Sequence, residues 1–175
     1  MTPSPTACSG YSLVRGPLTS APPKFRPFIE GRGDTERASI ERALSDAANT
    51  LISGGGTKPT TNRTFWPTTG GAVAFQPGWF QGHSLAQLYI NLGYGTDGPD
   101  GGPPNMTFNM IPPFQLLGPS KGPYPGTVCL PQVPLPAGAS VKPGDNATIQ
   151  VVELAQHGAA LYSVSPQYLD PPLKK

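Results

Sequence analysis

Residues 147-ATIQVVEL-154 decide how this chain is read, because Thr148, Ile149, Val151 and Val152 are all β-branched. Branching at Cβ restricts χ1 against a helical backbone and packs well on a pleated one, so the stretch is expected to be a β-strand. Further short runs of strand-forming residues lie outward from it at 71-GAVAF-75, 86-AQLYINLGY-94, 105-NMTFNM-110, 127-TVCL-130 and 159-AALYSV-164. The Pro- and Gly-rich pieces 97-DGPDGGPPN-105, 118-GPSKGPYPG-126 and 131-PQVPLPAG-138 fall between these runs, which marks them as loops. The 24 prolines and 22 glycines therefore punctuate a β architecture rather than signal disorder. Short strands with no helical segments alternating between them predict an all-β fold, an antiparallel immunoglobulin-like β-sandwich over residues 60–164.

The chain changes character near Thr60. Residues 1–59 hold seven basic and five acidic side chains, and the longer stretch 60–162 holds three and four. A Pro-rich start is expected to be a disordered arm. It gives way to 34-DTERASIERALSDAANTLIS-53, where Asp34 or Thr35 can cap a helix and Ile40, Leu44, Ala47 and Leu51 recur at helical spacing. Gly54, Gly55 and Gly56 end that helix, placed near residues 35–52. Its apolar face is thin, so it needs something to dock on. Residues 165–175 are expected to form a tail.

A net charge of +2 with no basic stripe gives no electrostatic footprint for nucleic acid. No run approaches the roughly 18 apolar residues of a membrane helix, and the first residues lack the charged start and apolar core of a signal peptide. No anchor signal is legible either. Asp97, Asp100, Asp145 and Glu153 show no spacing that pairs two carboxylates for glycoside hydrolysis, and neither a nucleophile elbow nor a phosphate loop occurs. Three glycosylation sequons begin at Asn62, Asn105 and Asn146, all beyond residue 60, which favours a secreted history.

Two cysteines, Cys8 and Cys129, are too few for a disulfide framework. Two histidines remain. His157 sits at a Gly turn in 154-LAQHGAALY-162 and is read as a solvated or capping residue. His83 follows the aromatic turn 75-FQPGWFQG-82, just ahead of a strand.

The segments 60-TTNRTFWPTTGGAVAFQPGWFQGH-83, 86-AQLYINLGYG-95, 123-PYPGTVCLPQVPLPAG-138 and 144-GDNATIQVVELAQHGAALY-162 together resemble the fungal copper acquisition factor-like domain family. Its members are secreted sandwiches similar to lytic polysaccharide monooxygenases, commonly held at the cell surface by a glycolipid anchor. The resemblance implies an extracellular or cell-surface protein that binds one copper ion in a histidine brace, built from the amine and imidazole of an N-terminal histidine and one later imidazole. By position, His83 is that later histidine, in a turn from which an imidazole reaches a surface site. Imidazole and amine nitrogens suit Cu(II).

Both ends depart from the family pattern. The chain starts at Met1, has no histidine before residue 83, and lacks the family's Pro-Cys-Gly-Gly motif. Where the family's last strand continues into a cysteine and a carboxylate, it reads 161-LYSVSPQYLDPPLKK-175. Sheet edges are then expected to be incomplete, and Cys129 to lack its family partner. The resemblance implies a non-catalytic copper-handling protein, impaired by the missing N-terminal histidine, with copper as cofactor and cell-wall polysaccharide as a further partner. Two alternatives stand beside it: a copper-dependent polysaccharide oxidase, for which Trp66, Trp79, Phe80 and Tyr94 could supply a glycan face, and an inactive truncated gene product.

Overall fold

The computed structural model describes residues 19–20, 62–77, 82–118 and 127–170. Nine strands are present among them: β1 (Thr19–Ser20), β2 (Thr64–Pro67), β3 (Gly71–Phe75), β4 (Ala86–Tyr94), β5 (Phe108–Asn109), β6 (Phe114–Leu116), β7 (Val128–Val133), β8 (Asn146–Ala155) and β9 (Ala160–Asp170). No α-helix occurs among the described residues. The helix expected near 35–52 lies outside them.

Strand β8, the stretch that carries the strongest sequence signal, lies at the centre of a seven-stranded sheet ordered β1-β9-β8-β4-β5, with β2 also on β9 and β6 also on β4. It pairs antiparallel with β4 from Ala86↔Ala155 to Tyr94↔Ala147, and with β9 from Asn146↔Tyr168 to Leu154↔Ala160. A second layer is made by β3 and β7, antiparallel, with a register shift between Gly71 and Val73. The two layers enclose one core. Alternation along β4 sends Ala86, Leu88, Ile90 and Leu92 inward, and the same period on β8 sends Ala147, Ile149 and Val151 to meet them. Trp66 from β2, Val73 and Phe75 from β3, Met110, Val133 from β7, Ala155 from β8 and Leu161 and Leu169 from β9 complete the cluster. Burying a side chain of this size contributes about 1.5–3 kcal/mol.

Three features differ from the sequence expectation. First, β9 does not stop at Val164 but runs through Asp170, so residues 165–170 belong to the sheet and are not tail. Its inward row, Leu161, Ser163, Ser165, Gln167 and Leu169, is polar in the middle, and Pro166 breaks the run of strand formers, which hides the strand from an apolar pattern. The buried polar groups are satisfied locally: Gln167 Nε2 donates to Ser165 Oγ at 2.8 Å, and Thr64 Oγ1 donates to Gln167 Oε1 at 2.7 Å. Second, Thr19 and Ser20, within the arm expected to lack regular structure, pair antiparallel with Tyr162 and Leu161. Third, one pairing is parallel, that of β2 with residues 167–170 of β9. Between those two partners, residues 163–166 of β9 have no outer neighbour strand among the described residues.

Candidate metal centre

Because Ala86 opens β4 opposite Ala155 at the close of β8, the turn before β4 and the turn after β8 emerge side by side at one end of the sheet. The first turn carries His83 and the second carries His157. The β8–β9 turn is closed by the Ala155 and Gly158 amides, which donate to the Ala159 and Ala155 carbonyls, both at 2.9 Å. It is tied to the first turn by the Gln156 N–H, which donates to the Leu85 carbonyl at 2.9 Å. A main-chain bond thus fixes the distance between two turns that are remote in sequence.

His83 is buried, with 4% of its surface exposed, contrary to the expectation of a surface turn. Its Nδ1 lies 2.9 Å from Oε1 of Glu153, a residue with 0% exposure. Glu153 shares the inward parity of Ile149 and Val151 on β8, and its cross-strand neighbours are Leu88 and Leu161. A carboxylate between two leucines is costly without partners, and His83 supplies one. With Glu153 ionised, Nδ1 must be the donor, so the proton is held there and Nε2 of a neutral imidazole presents its lone pair. A carboxylate on the second ring nitrogen is the usual support for a metal-binding histidine.

Nε2 of His83 faces Nε2 of His157 at 2.9 Å. The two rings are nearly perpendicular, at 81°, with centroids 4.4 Å apart. Gly82 makes this approach feasible. It has a φ of +91°, and a Cβ built on it would lie 2.5 Å from Cδ2 of His157. The structure therefore brings together one residue that the sequence points to and two that it does not. Sequence alone reads His157 as a solvated turn residue and Glu153 as an unpaired acid. The parity of Glu153 with Ile149 and Val151 is the one available signal: an acid on the buried face of a strand requires a partner. Among the described residues no group of three or more His, Cys, Asp or Glu converges on one point. The donor set is two imidazole nitrogens backed by one carboxylate.

The other singled-out residues lie elsewhere. Asn62 and Asn105 are exposed, and Asn146 is half-buried at the start of β8. Cys129, expected to lack a partner, is disulfide-bonded. The chain's other cysteine, Cys8, lies outside the described residues. Trp66 has 0% exposure and belongs to the core, so it contributes nothing to a glycan face. Trp79 and Phe80 lie outside the described residues. Asp145 closes a turn, its Oδ2 accepting the Lys142 N–H at 2.7 Å.

In comparisons with known proteins, a family model described as copper acquisition factor BIM1-like matches residues 37–164. A lytic polysaccharide monooxygenase-like protein X325 of Hypocrea jecorina (strain QM6a) is 76% identical over 109 residues, 62% of this chain and 47% of that protein. The lytic polysaccharide monooxygenase-like protein ham-7 of Neurospora crassa is 71% identical over 109 residues, 62% of this chain and 48% of that protein. A further X325 protein, from Aspergillus fumigatus, is 64% identical over 118 residues, 67% of this chain and 47% of that protein. The chain spans about half the length of the relatives it matches.

Proposed function

Because the chain belongs to the copper acquisition factor BIM1-like family, we propose that it is a copper-handling protein that holds the ion through His83 and does not turn over a substrate. The observation that carries this reading is the 2.9 Å contact between His83 Nδ1 and the buried Glu153 carboxylate, which fixes the tautomer a metal ligand needs. Imidazole nitrogen suits copper, and a bound ion would supply a Lewis-acidic, redox-active centre at this end of the sheet. Within these 175 residues the imidazoles are those of His83 and His157 alone. Binding by this stretch is accordingly weaker than by a brace that draws on three nitrogens.

Among the described residues, the exposed aromatic side chains favour the non-catalytic reading. The exposed pair Phe65 and Tyr168, 6.0 Å apart, lies beside Asn146. That is the far end of β8 from the histidines, roughly 30 Å away at about 3.3 Å per residue. A sugar ring stacked there would lie far from a copper ion at the histidines. An extracellular or cell-surface setting is supported by the disulfide at Cys129, which persists in oxidising compartments, and by exposed sequons at Asn62 and Asn105. Attachment through a glycolipid anchor and glycosylation at Asn62, Asn105 and Asn146 belong to the same reading.

Titration of the metal-free protein with Cu(II), alongside His83→Ala, tests it, followed by assay of the loaded protein on cell-wall polysaccharide with a reductant and oxygen. One ion per chain, lost on substitution, and no oxidised sugars are expected. Oxidised sugars above the free-copper background would establish the oxidase instead. Binding that survives loss of His83 would move the site, and no binding at all would leave an inactive product.

A further inference from the structure

We propose that His157 is a second copper ligand, and that His83 Nε2 and His157 Nε2 form a two-nitrogen cis site for Cu(II), with Glu153 orienting the first ring. This rests on the reading of His83 as a copper ligand and adds a partner to it. Two imidazole nitrogens each about 2.0–2.1 Å from one ion and 2.9 Å from each other subtend roughly 90° at it. That is the angle between adjacent positions of the tetragonal arrangement Cu(II) prefers. Nitrogens belonging to unconnected hydrogen-bonding histidines need not meet through their Nε2 atoms. Here the fold arranges that meeting through the Leu85–Gln156 main-chain bond, the buried Glu153 carboxylate behind His83, and the absence of a Cβ at Gly82.

Without metal, one Nε2 carries the hydrogen shared between the two. Since Glu153 holds the His83 proton on Nδ1, that hydrogen belongs to His157, and His83 accepts it. A copper ion bound here would be held by these two nitrogens in place of their hydrogen bond. The remaining copper positions are left to water or to a donor that receives the ion, which suits a protein that passes copper on.

The experiment uses the full chain and Cu(II) alone, with affinity measured calorimetrically and the nitrogen hyperfine pattern read by electron paramagnetic resonance. His157→Gln separates the two roles of this residue, because glutamine still offers an N–H to His83 but no imidazole lone pair. Its position in an exposed turn leaves the fold intact, which urea unfolding checks. We expect a two-nitrogen pattern in the wild type. His157→Gln should give a one-nitrogen pattern and an affinity loss above about 100-fold, beyond the roughly 10–100-fold expected for Glu153→Gln, which removes only the supporting charge and keeps two nitrogens. Gly82→Ala should resemble His157→Gln, since its methyl group displaces the His157 ring. If His83→Ala abolishes binding while His157→Gln keeps wild-type affinity and pattern, this inference is overturned and the proposed function stands. If the wild type binds no Cu(II), or binds it equally without His83, the proposed function itself fails and takes this inference with it.

Discussion

Replacing His83 by leucine should destabilise the metal-free protein by about 3 kcal/mol, and replacing Glu153 as well should restore most of that loss. Removing the hydrogen-bond partner of a buried group costs about 1–3 kcal/mol, and more when the group left behind is charged, because it stays desolvated. The value expected here is about 3 kcal/mol, since Glu153 also has contacts besides His83. Converting both residues to leucine removes the charge and the orphaned ring nitrogen together. It also extends an existing apolar row, because Glu153 already sits between Leu88 and Leu161. Exchanging a buried pair for packed hydrophobic residues is often neutral or stabilising. With a urea slope of about 2 kcal/mol per molar, the single variant's midpoint should fall by about 1.5 M, and the double variant should return to within about 0.5 M of wild type. Equilibrium unfolding of the four proteins in a chelating buffer measures the coupling. Strictly additive effects, or a single variant within about 0.5 kcal/mol of wild type, would show that the pair is not an energetic unit and that Glu153 does not hold the ring.

Two further outcomes follow from the core. The Tyr94 hydroxyl is buried with no hydrogen-bond partner among the described residues, so Tyr94→Phe should raise stability by about 1 kcal/mol in thermal or urea unfolding. Burial also pushes the Tyr94 phenol above its ordinary value of 10.0. A raised folded-state value favours the fold only while the group is protonated, so this contribution is present below about pH 10 and lost as pH climbs through the folded value. The variant should lack that component of the alkaline stability profile. Trp66→Ala should cost about 3–5 kcal/mol, since a fully buried indole spans the junction of β2, β3 and β9.

The sheet was legible where packing writes itself as alternation. Strand β4 presents Leu88, Ile90 and Leu92 at period two, while β8, buried on both faces, stands out instead through its β-branched Thr148, Ile149, Val151 and Val152. The continuation of β9 does not, because Ser165 and Gln167 face inward and meet their needs by hydrogen bonding rather than by burial of apolar surface. His83 is reached through its place in a family pattern. His157 is out of reach, since its closeness to His83 depends on Ala86 pairing with Ala155, a register between strands that are not consecutive in the chain. Periodicity describes a strand's faces but says nothing about which distant strand lies beside it. Glu153 lies between these cases. Its parity announces a buried acid, but the identity of its partner requires the fold.

The bond from the Gln156 amide to the Leu85 carbonyl also determines when the centre can exist. The two imidazoles are separated by 74 positions along the chain and meet at the end of the β4–β8 ladder where Ala86 pairs with Ala155. Closing so long a loop is a slow, entropically unfavourable step in folding, and nothing at the histidines themselves rewards it beforehand. An ion arriving early would meet one isolated ring on a fluctuating chain. On the proposed reading a bound copper ion would be a latch on a finished sheet and not a template for it. By mass action it would lower the free energy of the native state alone, so that opening of those strand ends becomes rarer as its concentration rises. A chain of this kind would report its own maturation: metal uptake would begin at the moment the last register is set.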